Sequence, residues 1–120
     1  MRLHGFHAHI YFDADEVDQA RELAEAARAE FGCPVGRFHT RPVGPHPRGS
    51  CQLTLDNAQF ERFATWAPAA RGSLTIFAHG VCGNQWTEHT QLAVWFGDSE
   101  TLDLTQFENE RPGHTGHQLG

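Results

Sequence analysis

Apolar and polar residues alternate strictly over Phe6–Phe12. Phe6, Ala8, Ile10 and Phe12 fall on one side, and His7, His9 and Tyr11 fall on the other. A period of two predicts a half-buried strand whose first set faces a core. The period then lengthens. Val17, Ala20, Ala24, Ala27 and Phe31 step by three and four, predicting a helix from about Ala14 to Phe31 with one narrow apolar stripe. Asp13 and Glu16 supply a cap and a capping-box acid at its start, and Gly32 and Pro34 end it.

Val35 to Arg41 alternates weakly and is expected to form a second strand. The segment Pro42-Val43-Gly44-Pro45-His46-Pro47-Arg48-Gly49 is too rich in proline and glycine for regular structure. Ser50 to Leu55 predicts a third strand, with Cys51, Leu53 and Leu55 opposite Gln52 and Thr54. Asp56 or Asn57 caps a second helix carrying Phe60, Phe63, Ala64 and Ala67, which Pro68 is expected to stop. In a fourth strand, Ser73 to His79, Leu74, Ile76 and Ala78 alternate with Thr75, Phe77 and His79. A loop from Gly80 to Glu88 leads to a fifth, short strand, Gln91 to Phe96. From Glu108 onward the chain is polar and aperiodic, so the expected domain is 1–107, followed by a tail (108–120) with solvated His114 and His117.

The order β-α-β-β-α-β plus one strand predicts an α+β, ferredoxin-like antiparallel sheet, two helices on one face and an added C-terminal strand. The first and third strands are taken as central and mutually parallel, with the fourth antiparallel beside the first. His7, His9 and Tyr11 then lie on the face that the helices leave open. That face is expected to be covered by the added strand or by a second copy, which favours a homodimer.

Composition narrows the possibilities. A chain of 120 residues is long enough for one domain with a real core. All nine basic residues are arginine, which excludes Schiff-base chemistry, and a net charge of −6 argues against nucleic acid as partner. No apolar run approaches a membrane span, and the N-terminus has no hydrophobic signal region. Cys33, Cys51 and Cys82 are odd in number and form no CxxC pair, which fits free thiols in a reducing cytoplasm.

The histidines carry the candidate chemistry. His7 and His9 share one strand face roughly 7 Å apart, a spacing at which two neutral imidazoles converge on one ion. The expected topology brings His79, His89, His46 and His39 to the same end of that face. Alternatives stand beside this reading: a solvated H-x-H face, surface pairing for Arg41 and Arg48, and packing roles for Trp86 and Trp95. Carboxylates are scarce, Glu88 being the main one, so a three-histidine site and a zinc site both remain open.

In these residues the chain resembles the DOPA 4,5-dioxygenase family. The matching pieces are Phe6-His7-Ala8-His9-Ile10-Tyr11-Phe12, Val35-Gly36-Arg37-Phe38-His39, Arg41 through Gly49, His79, Glu88-His89-Thr90 and Ala93-Val94-Trp95-Phe96-Gly97. Leu92 stands where a second histidine is expected, a departure that bears on activity and substrate range. The resemblance implies a non-haem Fe(II) enzyme that opens a catechol ring beside its hydroxyl pair with O₂, on L-DOPA or a related carboxylated catechol. On that reading His7, His9 and His79 are the metal ligands, and His46 and His89 the acid/base groups. Arg48, then Arg41, would hold a substrate carboxylate, and Tyr11, Trp95 and His39 would line the pocket. The competing readings are a non-catalytic metal- or ligand-binding module with zinc in the histidine site, and a cofactor-free α+β barrel enzyme or structural dimer whose histidines merely line a pocket.

Overall fold

A computed structural model describes residues 1–113, so His114 and His117 lie outside the described residues. The chain forms β1 (Phe6–Phe12), α1 (Val17–Phe31), β2 (Gly49–Leu55), α2 (Asn57–Ala70), β3 (Thr75–Gly80), α3 (Gln85–Glu88) and β4 (Ala93–Phe96). The sheet order is β2-β1-β3-β4, and every pairing is antiparallel. The segment expected as a second strand is reduced to two bridges on the outer edge of β2, Val35 to Leu53 and His39 to Ser50. With that segment counted, this is the ferredoxin-like α+β arrangement, and β4 is the added C-terminal strand.

The alternation read in β1 is borne out. Ala8, Ile10 and Phe12 join Cys51, Leu53, Leu55, Ile76, Ala78 and Phe96 in one core beneath the two long helices. Helix α1 contributes Ala20, Leu23, Ala24, Ala27 and Phe31, and α2 contributes Phe60, Phe63 and Ala67. Small residues on the α1 stripe let it lie close to the sheet, while aromatics on α2 fill the remaining depth. Phe6 stacks on Phe60 with ring centroids 3.8 Å apart.

The caps follow the sequence. Asp56 accepts from the Gln59 backbone N–H at 2.7 Å while Gln59 accepts from the Asp56 N–H at 2.8 Å. Gly32 ends α1 at φ 67°, its N–H donating to the Arg28 carbonyl. Pro68 does not stop α2, which runs on to Ala70. The proline sits in the last turn, where its missing N–H removes only one bond and the Arg71 N–H still donates to the Ala67 carbonyl.

Two topological expectations are corrected. The first and third expected strands are antiparallel, because Phe12 pairs with Gly49 and Phe6 with Leu55. The proline-rich loop therefore leaves from the opposite end of β1, not from beside His7. It then folds back across the sheet face, its Pro45 carbonyl accepting from the Asp103 N–H at 2.9 Å. Secondly, that face is not open. The loop and a 3₁₀ helix, Thr105–Glu110, cover it, with Phe107 buried. Beyond residue 107, Asn84 donates to the Glu110 carbonyl at 2.9 Å and the Gln85 N–H to the Glu110 carboxylate at 2.7 Å. Among the described residues no helix is long and apolar enough to cross a membrane.

Candidate active site

The second sheet face carries the histidines. β1 presents His7, His9 and Tyr11, and β3 presents Thr75, Phe77 and His79. The register places His7 opposite His79 and His9 opposite Phe77. α3 and its C-terminal residue bring Glu88 and His89, and the returning loop brings His46. His9, His46, His79 and His89 are all buried. Ring centroids are 4.1 Å apart for His9–His46, 4.4 Å for His79–His89 and 5.2 Å for His7–His79. The returning loop brings His46 to His9 from the far end of β1, whereas His39, bridged to Ser50 opposite Tyr11, stays at that far end and not beside His7 and His79.

Hydrogen bonds fix two tautomers. His79 Nδ1 lies 3.1 Å from the Gly80 carbonyl and His89 Nδ1 lies 2.7 Å from the Gln85 carbonyl. A carbonyl only accepts, so both Nδ1 atoms carry the proton and both Nε2 lone pairs are free. His9 Nε2 and His79 Nε2 face each other at 3.4 Å. Two ligands on one ion at about 2.1 Å, with tetrahedral angles, are held at much this separation. One ring nitrogen each from His7, His9 and His79 lies within 4.8 Å of the others. The residues thus fit a divalent ion.

Electrostatics agree. Burial, then neighbouring imidazoles, lowers the pKa of His46 to about 4. Burial, then His89, lowers that of His79 to about 4. Burial leads in lowering His7 and His89, and takes His9 well below its usual range. Crowded imidazoles cannot share positive charge out of water, so the cluster is neutral at pH 7 and its lone pairs need no deprotonation.

Glu88 is the carboxylate of the cluster. One oxygen accepts from the Cys82 and Gly83 N–H groups at 2.9 and 3.0 Å. The other stands 3.8 Å from His79 Nδ1, on the side away from His9. It faces the Nδ1 edge of His79, opposite the nitrogen turned to His9, where a carboxylate can orient an imidazole. His79, Glu88 and His89 also form a compact group, with His79 shared between the two sets.

The remaining expected site residues divide. Tyr11 is fully buried, and its hydroxyl lies 2.7 Å from His46 Nδ1. It borders neither of the cavities described below and supports His46 from behind. Trp95 packs on Phe77 at 4.7 Å and likewise borders neither. Arg48 is occupied: Glu100 grips its Nε and Nη2 at 3.1 and 2.8 Å, and Asp13 and Glu16 approach Nη1. A guanidinium so engaged is not available to a substrate carboxylate. Arg41 lies beside His39 on an outer depression that touches neither His9 nor His46. Leu92 lies against Gly80 and borders neither cavity.

Two cavities meet at the cluster and share His9, His46 and Gln52 in their walls. One, of about 310 Å³, holds His7, His79, Glu88, His89, Gln85, Gln106 and Phe107. The other, of about 320 Å³, runs under Val35, Gly36, Arg37 and His39. Gln52 was legible as a face residue but not as a wall. Phe107, which stacks on His89 at 4.7 Å, lies in a stretch with no periodicity to announce it.

Fold and site together define a ferredoxin-like domain with a buried histidine cluster between two cavities. Residues 6–106 match the model of the Dopa 4,5-dioxygenase family, and the chain belongs to that family. It is 31% identical over 108 residues to the DOPA 4,5-dioxygenase of Amanita muscaria, covering 82% of this chain and 47% of that one. A 21.2 kDa protein of Botryotinia fuckeliana is 32% identical over 124 residues, covering 93% of this chain and 68% of that one. The crystal structure of a proposed dioxygenase from Nostoc punctiforme superposes with a TM-score of 0.75 at 31% identity, covering 90% and 93% of the two chains.

Proposed function

We propose that this protein is an extradiol dioxygenase that opens a catechol ring with O₂, using Fe(II) held by His7, His9 and His79. The observation that carries the reading is the facing pair of His9 and His79 Nε2 atoms at 3.4 Å, with His7 beside them, in a member of the Dopa 4,5-dioxygenase family. Three neutral imidazoles on one side of an ion leave its other positions for ligands that are not protein. Bound there, iron supplies the redox partner through which a closed-shell catechol and triplet O₂ react.

The chain's own residues do the rest. His46 stands beside His9 with its Nδ1 anchored by Tyr11, and in the tautomer that donates to the Tyr11 oxygen its Nε2 accepts a phenolic proton. His89, whose Nε2 is free, would take up the second phenolic proton and return it as the ring opens. Phe107, Phe77 and the returning loop exclude water. The reaction balances without a further reductant: one ring C–C bond beside the diol breaks, and both atoms of O₂ enter the product.

Zinc fits the same imidazole set, and a zinc-filled site would make the domain a non-catalytic binding module. An oxygen electrode separates the two. Fe(II)-loaded protein is expected to consume O₂ with L-DOPA or 3,4-dihydroxyphenylpropionate and to form a visible-absorbing product. Stoichiometric iron without O₂ uptake on either catechol would sink the proposal.

A further inference from the structure

The cavity beside the histidine cluster has one formal charge in its lining, and that charge is positive. Its walls are His9, His46, Gln52, Ser50 and Thr54 on one side and Pro34 to Arg37 with His39 on the other; no acid lines it. In a chain of net charge −6 this is an unusual spot. Arg37 also differs from the arginines that have partners. Arg48, Arg28 and Arg111 pair with carboxylates, while Arg21 and Arg62 lie over aromatic rings. Arg71 donates to the Leu74 carbonyl. Among the described residues Arg37 has no such partner, and it borders a cavity of about 320 Å³, large enough for part of a small ligand.

The backbone fixes how far Arg37 stands from the cluster. His9 pairs across the ladder with Gln52, and the Gly36 N–H donates to the Gln52 carbonyl at 2.7 Å. Arg37 therefore begins two strand spacings from His9, roughly 10 Å across the sheet. A three-carbon tail on an aromatic ring, met by an extended arginine side chain, covers that span. Gly36 lines the same cavity and lies tight against β2, where a Cβ would stand 3.2 Å from the Gln52 carbonyl.

We infer that Arg37 is the specificity-determining residue of this site: its guanidinium binds the carboxylate of a catechol with an anionic tail lying in the second cavity. The inference rests on the catechol reading above and replaces Arg48 and Arg41 in this role. Arg37 presents a planar fork to the carboxylate, a geometry that neutral- or cationic-tailed catechols do not satisfy.

The test compares 3,4-dihydroxyphenylpropionate, 4-methylcatechol and dopamine in wild type, Arg37→Gln and Arg37→Glu. Anaerobic tryptophan-fluorescence titration reads binding, and O₂ uptake reads turnover. Arg37→Gln is expected to lower the carboxylate-over-neutral preference, in Kd and in kcat/KM, by about 10- to 100-fold. Arg37→Glu is expected to place dopamine above the acid. An unchanged preference in both variants would overturn the role of Arg37, even in an active enzyme. Wild type that binds the acid through Arg37 but consumes no O₂ would sink the dioxygenase reading and leave Arg37 standing.

Discussion

The two faces of this sheet are built from the same strands and hold opposite chemistry. On the helix side, Ala8, Ile10, Leu53, Ile76 and Phe63 pack without a polar side chain among them. On the other side, neighbouring residues of the same strands bury His9, His79 and Tyr11 almost as completely, at 6%, 2% and 0% exposure. The first face is buried to remove apolar surface from water. The second buries polar rings by satisfying one nitrogen and leaving the other directed inward, at His79 and His89 through a backbone carbonyl each. Equal burial thus marks two different functions, and what separates them is where the hydrogen bonds go.

Substitution should separate the faces cleanly. The largest effect is expected at His9: His9→Ala should lose stoichiometric metal after dialysis, a fall of more than about 100-fold in affinity, with the circular dichroism spectrum kept. Metal analysis that still finds one ion per chain would break the assignment. On the core face, Phe63→Ala should cost about 3–5 kcal/mol in urea unfolding, because Phe63 is fully buried between the helices and Phe96. Its folded fraction should bind metal as wild type does.

Glu88→Gln retains an oxygen for the Cys82 and Gly83 N–H groups but loses the charge behind His79. Metal affinity is expected to fall about 10- to 100-fold by competition against a chelator. An unchanged affinity would leave Glu88 only as a loop anchor.

The faces also differ in their response to pH. Folded His46 and His79 titrate at about 4, whereas the unfolded chain titrates near 6.5. Between those values the unfolded chain takes up protons that the fold refuses. Stability is therefore complete above about pH 6.5 and declines as pH falls towards 4. Metal-free protein should show a urea midpoint that drops over this window, less steeply in His46→Gln. A flat midpoint down to pH 4.5 would contradict neutral burial. The smallest effect is expected for Tyr11→Phe, which removes the anchor of His46 and should cost about 0.5–1.5 kcal/mol.

Much of this was legible in the sequence because alternation reports faces. The period of two in Phe6–Phe12 and Ser73–His79 puts His7, His9 and His79 on one face, and the cross-strand register sets His7 opposite His79. Direction was misread. Alternation carries no information on whether two strands run parallel, so the loop bearing His46 was assigned to the wrong end of β1. Arg48 failed for a related reason: its partners Asp13, Glu16 and Glu100 are distant in sequence, and only the fold assembles them. The sequence offers Arg37 only as one residue of a weakly alternating strand, because the cavity it borders forms where that segment pairs with β2 through two bridges. The cover supplied by Phe107 rests on a short 3₁₀ helix, which leaves no apolar stripe to find.

Isotope labelling asks whether the histidine face serves ring-opening chemistry. Fe(II)-loaded protein given 3,4-dihydroxyphenylpropionate under ¹⁸O₂ should yield a ring-opened product carrying both labelled atoms, read by mass spectrometry before exchange with water. A quinone with no label, or no product from protein holding its iron, would contradict the account.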